Sequence, residues 1–100
     1  MYNLIKDEYP DALFHASPEW LKPQHFDVYI PSIRTAFEYQ GVQHFKPVNY
    51  FGGEKQYLDQ RKRDNDKKIK CNINGINLLY WNYDEEINNE VLEFKLSIVK

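Results

Sequence analysis

Cysteine is nearly absent from this chain, in which Cys71 is the only one among 100 residues. A single cysteine excludes an internal disulfide and a zinc site built from several thiolates. Long apolar runs are absent as well, because no stretch approaches the roughly 20 residues that a membrane-spanning helix needs. The N-terminal stretch MYNLIKDEYP also has acidic residues where a signal peptide would be basic and then apolar. These absences predict a cytoplasmic protein with no membrane partner.

The chain has little net charge, −2 at neutral pH, but its charge is unevenly distributed. Between Arg61 and Lys70, six basic residues stand beside two acidic ones, which leaves about +4 locally. The length supports one folded domain with a modest core. We therefore expect residues 1–100 to form a single domain, whether it stands alone or belongs to a longer protein.

The order of periodic segments predicts an α/β domain with an αβββαβ core and an additional C-terminal helix. Helix-like spacing covers Tyr2 to Tyr9, and Ala12 to His15 is expected to make a short strand before a turn that contains two prolines. The segment HFDVYIPSIRTAFEYQ alternates apolar and polar residues around a Pro-Ser break. This alternation is typical of a β-hairpin.

The second half of the chain begins with a long helix, GEKQYLDQRKRDNDKKIKC, which is expected to be largely exposed. Its thin buried stripe is predicted to consist of Leu58, Asn65, Ile69 and Asn72. The apolar segment INLLYWNY predicts a strand in the middle of a sheet. Asp84 is expected to cap the N-terminus of the final helix.

The predicted hairpin brings two acidic residues together. If its turn centres on residues 32 and 33, Asp27 lies opposite Glu38, and the same register pairs Val28 with Phe37 and Ile30 with Thr35. Because side chains alternate between faces, Asp27, Glu38 and Gln40 share one face. The other face is expected to be apolar, with Phe26, Val28, Ile30, Phe37 and Tyr39. Opposed like charges destabilise a hairpin unless something compensates them, and a divalent cation would do so.

Carboxylate oxygens on adjacent strands are ligands that Mg²⁺ prefers, with water and substrate phosphate in the remaining positions. A cation held in this way polarises a phosphoryl oxygen and makes a bound water more acidic, which is the chemistry of phosphodiester cleavage. Gln40 can hold that water by hydrogen bonds. The competing interpretation is that Asp27 and Glu38 are only solvated residues on the wet side of a hairpin, and for an arbitrary pair of acids it is the commoner one.

Four segments in a fixed order carry a family resemblance: FDVYIP, FEYQGVQHF, FGG and RDNDKKIKC. Together they resemble a small bacterial and phage family of the PD-(D/E)XK nuclease superfamily. The resemblance covers roughly residues 25–79, and the run EYQGVQH is its most specific part. It implies a restriction-endonuclease-like fold, in which a mixed sheet within an αβββαβ core is flanked by helices. At this length, the resemblance implies a minimal nuclease or the catalytic piece of a longer protein.

Site residues follow from the same resemblance. Asp27 and Glu38 correspond to the metal ligands, and Gln40 stands where the superfamily has its lysine, which leaves the group that activates water unassigned. Gln43 and His44 belong to the same signature and could contact the phosphate or water. Glu8, or else Asp7, on the first helix would be the third metal ligand, although an exposed helix acid is the commoner reading.

The basic helix is the predicted nucleic-acid surface. The four residues expected to follow a phosphate backbone are Arg61, Arg63, Lys67 and Lys70. A solvated face with internal ion pairs, such as Asp64 with Lys68, explains the same charges without a partner. The resemblance favours the nucleic-acid interpretation, and it identifies Arg63, Asp64 and Lys67 as a second signature.

These observations predict an endonuclease that depends on Mg²⁺ or Mn²⁺ and hydrolyses DNA. Because many nucleases of the superfamily cut duplexes as dimers, the resemblance also suggests a homodimer. Two other functions remain open. One is a nucleic-acid-binding module of the same fold that has lost activity, and the other is a structural or protein-interaction domain.

Overall fold

The computed structural model describes residues 1–41 and 53–99, which form a mixed α/β fold with one four-stranded sheet and three helices. In chain order the elements are α1 (Tyr2–Glu8), β1 (Leu13–Ala16), β2 (Phe26–Ile30), β3 (Thr35–Gln40), α2 (Gly53–Ile73), β4 (Asn77–Asn82) and α3 (Asn89–Ser97). The strands lie in the order β1-β2-β3-β4. Strands β1 to β3 are antiparallel, and β4 runs parallel to β3, so the sheet is mixed. The predicted order of helices and strands is therefore confirmed.

The predicted register of the hairpin is also confirmed. Val28 pairs with Phe37 and Ile30 pairs with Thr35, and a short 3₁₀ turn over Pro31–Ile33 joins the two strands. Asp11 strengthens this turn, because its carboxylate accepts hydrogen bonds from the backbone N–H and the hydroxyl of Ser32 at 2.8 and 3.0 Å. A shift of one residue would move the apolar side chains of β2 to the opposite face of the sheet, so the hydrophobic pattern supports this pairing once the turn is centred on residues 32 and 33.

Two apolar clusters lie on opposite faces of the sheet. On one face, Val28, Phe37 and Trp81 pack with Ile5 of α1 and Leu92 of α3. The other face carries a smaller cluster, whose buried members are Leu21, Phe26, Ala36 and Cys71. Cys71 belongs to α2, so this helix covers the second face together with Leu21 of the segment between β1 and β2, while α1 and α3 cover the first. The smaller cluster leaves polar groups of α2 in contact with the sheet.

The expectation that Phe26 shares the apolar face with Val28 is wrong. Phe26 is fully buried in the opposite cluster, where its ring lies 5.5 Å from that of Tyr29. It lies outside the backbone pairs of β2 with β3, which begin at Val28 with Phe37, so strict alternation does not extend to it. Tyr39 keeps the predicted face, because it pairs with Trp81 of the Val28 cluster and lines a groove with Val28, although it is 43% exposed.

The expected buried stripe of α2 is also wrong. Leu58 is 56% and Ile69 50% exposed, and Asn65 and Asn72 are exposed too. The residues that turn towards the sheet are Gln60, Asp64, Lys67 and Cys71, at helical spacing on a different face. Apolar content could not orient this helix because its best-packed face is polar.

Two details at the C-terminal end differ from expectation. Strand β4 lies at the end of the four-stranded sheet rather than in its middle. Helix α3 is capped by Asn88, whose side-chain oxygen accepts a hydrogen bond from the Val91 N–H at 2.9 Å, whereas Asp84 lies exposed before it. None of the helices in the two described ranges is long and apolar enough to cross a membrane.

Candidate functional site

A polar cavity of about 190 Å³ lies where strands β2 and β3 separate beneath helix α2. The strands contribute Asp27 from the start of β2, Glu38, Tyr39 and Gln40 from the end of β3, and Tyr80 from β4. The helix contributes Gln60, Asp64 and Lys67, and His25 completes the lining. The cavity therefore contains the predicted trio of Asp27, Glu38 and Gln40.

Asp27 occupies the position where the ladder between β2 and β3 ends. Its carboxylate accepts a hydrogen bond from the backbone N–H of Tyr39 at 2.8 Å, and the side chain thus replaces a strand–strand contact. The same carboxylate acts on Glu38 through a hydrogen bond and through its charge, both of which raise the pKa of Glu38. The two acids are therefore neighbours, as the register predicts.

Glu38 has an unusual environment for a carboxylate. Burial raises its pKa, Lys67 opposes this effect, and Asp27 adds to it, with a resulting pKa of about 7. Lys67 reaches across from α2 and donates a hydrogen bond to a carboxylate oxygen of Glu38. A carboxyl group with a pKa near neutrality, in a cavity beside a second acid, is typical of a functional site.

Lys67 is held by the cavity rather than displayed to solvent. Its side chain is 14% exposed, and its amino group also donates to the backbone oxygen of His25 at 2.6 Å. The ammonium lies 6.0 Å from the centre of the Phe26 ring, within the range of a cation–π contact. Lys67 therefore lies within the cavity beside the acidic pair, whereas Arg61 and Arg63 are exposed on the same helix.

Helix α2 supplies further polar groups that the sequence interpretation did not assign to the site. Gln60 donates to Asp64 at 3.1 Å and accepts from the Arg63 guanidinium at 3.1 Å. Residues 60, 64 and 67 recur at helical spacing, and this signal would have revealed a polar inner face.

Tyr80 was also missed. It pairs with Glu38 in the parallel register of β3 and β4, so both side chains lie on the same face of the sheet. Burial raises the pKa of its phenol, and the charges of Asp64, Glu38 and Cys71 raise it further. A tyrosine in an otherwise apolar strand carried no signal of this contact in the sequence.

The structure does not bring Glu8 to the cavity. Glu8 is exposed at the C-terminal end of α1, from which the chain leads to Asp11. The Asp11 carboxylate accepts a hydrogen bond from Ser32, so this end of α1 lies near the turn of the hairpin. Asp27 lies at the other end of β2, close to Asn3 at the start of α1, with which it lines a second groove. Asp7 is exposed as well.

The remaining predicted residues fall into two groups. Arg61 and Arg63 are exposed on α2, whereas Lys70 is half-buried, with its amino group 3.5 Å from the side-chain oxygen of Gln24. Gln43 and His44 lie outside the described residues.

A divalent cation would have two carboxylates available here. In residues 1–41 and 53–99, no group of three or more His, Cys, Asp and Glu side chains is arranged to hold a metal ion. Mg²⁺ usually keeps several waters and binds through one or two carboxylates together with substrate phosphate. Asp27 and Glu38 therefore fit such a cation, provided that Lys67 releases Glu38.

Comparison with known proteins gives two viral relatives. The chain is 37% identical over 65 residues to "Uncharacterized protein 094L" of Frog virus 3 (isolate Goorha), in an alignment that covers 63% of this chain and 42% of the relative. It is 29% identical over 86 residues to "Uncharacterized protein 307L" of Invertebrate iridescent virus 6, with 74% and 44% covered. The chain thus spans less than half the length of either relative. No protein-family model and no solved structure matches it.

Proposed function

We propose that this chain is a metal-dependent nuclease domain of the PD-(D/E)XK superfamily, which hydrolyses DNA phosphodiester bonds with Mg²⁺ or Mn²⁺. One observation carries the proposal: Asp27 and Glu38, from adjacent strands, share a cavity with the amino group of Lys67. Two carboxylates and one amine are the side chains that the superfamily motif supplies. The αβββαβ order and the mixed sheet are consistent with the proposed fold.

In this proposal, Lys67 supplies the amine that is missing from the motif because Gln40 replaces its lysine. The lysine of the motif lies two residues after the acid on the same strand, where this chain has Gln40. Lys67 reaches the same cavity from α2 and contacts Glu38 directly. The amine would thus come from the helix, while Gln40 lines the cavity and can orient a water through its amide.

Each side chain then has a distinct task. Asp27 and Glu38 hold the cation, which supplies Lewis acidity and makes a coordinated water more acidic. The backbone N–H of Tyr39 orients the Asp27 carboxylate. Lys67 neutralises Glu38 before the cation binds and is then placed to contact the scissile phosphate, where its charge favours the transition state. Arg61 and Arg63, exposed on the same helix, would bind neighbouring phosphates.

The activity test uses supercoiled plasmid and single-stranded DNA, incubated with the purified chain in Mg²⁺, Mn²⁺ or chelator. We expect cleavage that requires the metal and is lost in Asp27→Ala, Glu38→Ala and Lys67→Ala. Lys68→Ala is the matched control, because Lys68 is exposed on the next position of the same helix. Cleavage in chelator, or equal cleavage by the three variants, would refute the proposal.

A DNA-binding module without activity is the second candidate. The observation in its favour is that Lys67 already compensates Glu38, so that this carboxylate has a partner without a metal ion. Such a module would bind DNA with a steep dependence on salt concentration and would not respond to the metal. The nuclease, in contrast, should gain thermal stability from Mn²⁺ by mass action, and Asp27→Asn should remove this gain.

Assembly and the role of the whole protein are further proposals. The relatives are more than twice as long as the parts that match this chain, and additional domains could supply target recognition. A homodimer would place two cavities on opposite strands of a duplex. Analytical ultracentrifugation with and without duplex DNA tests for the dimer.

A further inference from the structure

A row of aromatic side chains leads from Tyr2 of α1 across strand β1 to His25, the residue before β2, and ends at the cavity. The ring centres of Tyr2 and Phe14 are 5.2 Å apart, those of Phe14 and His15 are 4.1 Å apart, and those of His15 and His25 are 4.9 Å apart. His25 lines the cavity that contains Asp27 and Glu38. The aromatic row, defined as these four residues, is therefore continuous with the candidate active site.

The aromatic row is open to solvent. Phe14 is 59% exposed, and the two histidines are exposed as well. The row lies on the first strand of the sheet, and in the described part of the chain no strand pairs with its outer edge. Exposing a large aromatic side chain costs stability, so contiguous apolar groups on a surface often mark a binding site.

His15 has a backbone conformation that supports the row. Its φ angle is 52°, in the left-handed region that residues other than glycine rarely adopt, although its neighbours Phe14 and Ala16 pair regularly with β2. This conformation leaves the imidazole nearly parallel to that of His25, with 20° between the planes. Strained residues of this kind persist at positions where a particular side-chain direction is needed.

A second groove, of about 680 Å³, extends the surface past the cavity. It includes Phe14 and Tyr2 of the row, and it shares Asp27 and Tyr39 with the cavity itself. Tyr39 adds a further partly exposed ring. This groove and the row therefore offer two paths for a polymer whose scissile bond lay beside Asp27 and Glu38.

Charge next to the row indicates which polymer fits. The side chain of Gln24, the residue before His25, donates to the backbone oxygen of Arg63 at 3.0 Å. The turn of α2 that carries Arg61 and Arg63 therefore lies beside the His25 end of the row. A surface that binds single strands has two components: positive side chains that follow the phosphate backbone, and aromatic rings on which the bases stack.

We infer that the aromatic row binds unpaired nucleotides next to the scissile phosphate, by stacking their bases on Phe14 and its neighbours. This inference rests on the proposed nuclease function and names its substrate class as single-stranded or locally unpaired DNA. In a duplex the faces of the bases are already covered by neighbouring bases, so the row can bind them only where pairing is open. Stacking accepts every base, because each has a π face, and the surface should have little sequence preference.

Fluorescence anisotropy tests the inference with the full chain in chelator, where no cleavage occurs. The probes are labelled oligo(dT) and a labelled blunt-ended duplex of two complementary strands. Phe14→Ala should weaken oligo(dT) binding ~5- to 150-fold, the equivalent of about 1–3 kcal/mol per stacked base, and should leave binding of the duplex unchanged. Phe14→Trp should retain binding. Phe94→Ala is the matched control, since Phe94 is a 71% exposed phenylalanine on α3, away from the row.

The outcomes separate this inference from the proposed function. If Phe14→Ala binds oligo(dT) as the unaltered chain does, or if the chain binds the blunt-ended duplex but not oligo(dT), the row is not a stacking surface, whatever the plasmid assay shows. If oligo(dT) binding depends on Phe14 but no metal supports cleavage, the row stands and the nuclease proposal fails. If Phe14→Ala unfolds, tryptophan fluorescence of Phe14→Trp decides the question, with the unaltered chain as the reference. Quenching of the introduced tryptophan by oligo(dT) supports stacking, and the absence of quenching refutes it.

Discussion

Lys67 of helix α2 donates a hydrogen bond to Glu38 of strand β3, and the two side chains are only 14% and 13% exposed. This contact joins residues that are 29 positions apart in the chain. It brings an amine to the acidic pair of Asp27 and Glu38, in a cavity that Gln40 also lines. The contact therefore links the stability of the domain to its proposed chemistry.

The first prediction concerns stability. Lys67→Ala should lower the free energy of unfolding by about 1–3 kcal/mol at pH 8, because it leaves the mostly buried Glu38 carboxylate without its charged partner. Lys68→Ala should change it by less than about 0.5 kcal/mol, as is usual for exposed residues. Urea denaturation followed by circular dichroism measures both. Equal effects of the two substitutions would contradict a specific role for Lys67.

The second prediction concerns rescue of activity. If Lys67 provides the amine, Lys67→Ala should abolish cleavage, and adding Gln40→Lys should restore part of it by supplying an amine from β3 to the same cavity. Gln40→Lys alone should raise activity less than the same substitution does in Lys67→Ala, because the cavity of the unaltered chain already contains Lys67. Rates of plasmid nicking in Mn²⁺ for the two single variants and the double variant check this. A double variant as inactive as Lys67→Ala would argue against a transferable amine.

The third prediction concerns pH and the metal. Burial raises the pKa of Glu38 to about 7, and a cation binds only the ionised carboxylate. Mn²⁺ affinity should therefore rise about tenfold from pH 6 to pH 8, because only about one-tenth of Glu38 is ionised at pH 6. Isothermal titration calorimetry at the two pH values measures this change. Equal affinity at both would show that Glu38 does not control binding.

The same pKa has an effect on the stability of the metal-free protein. Because the folded-state pKa lies above the ordinary value of 4.5, protonated Glu38 favours the folded state. This contribution is fully present below about pH 4.5 and is lost as the pH rises through about 7. Melting temperatures of the unaltered chain should therefore fall over this interval relative to those of Glu38→Gln, which has no proton to lose. Parallel pH profiles would contradict the shift.

The fourth prediction distinguishes two residues near α3. Asn88→Ala should destabilise the domain by about 1 kcal/mol, because it removes the hydrogen bond to the Val91 N–H. Asp84→Ala should have little effect, since Asp84 is exposed in the turn after β4, four residues before Asn88. Thermal melts of the two variants provide a matched comparison. A larger loss for Asp84→Ala would place the start of the helix at the position that the sequence pattern suggested.

Local pattern was enough to predict the order of the elements and the pairing of β2 with β3. Strand periodicity is two residues, so a shift of one residue would move Val28 and Ile30 away from the cluster of Phe37 to the other face of the sheet. The same argument placed Asp27 beside Glu38, and the cavity contains both. The acidic pair was thus accessible from sequence, although its metal-binding role is a proposal.

Helix α2 shows where pattern reasoning failed. Its apolar residues Leu58 and Ile69 are half-exposed, and its inner face is formed by Asp64 and Lys67. Hydrophobic periodicity orients a helix only when its buried face is the apolar one. The opposite face of this helix packs against a sheet that offers Glu38 and Tyr80, so that charge and hydrogen bonding determined its rotation.

Periodicities of a few residues were enough to predict the class of the fold, the hairpin register and the neighbouring acids. The structure was needed to show that Lys67 contacts Glu38, that Glu8 lies away from the cavity, and that an aromatic row leads to His25. These relationships join residues far apart in the chain. They depend on the rotation of α2 about its axis and on the position where β1 ends. Both are set by the packing of the whole domain, and no local pattern encodes them.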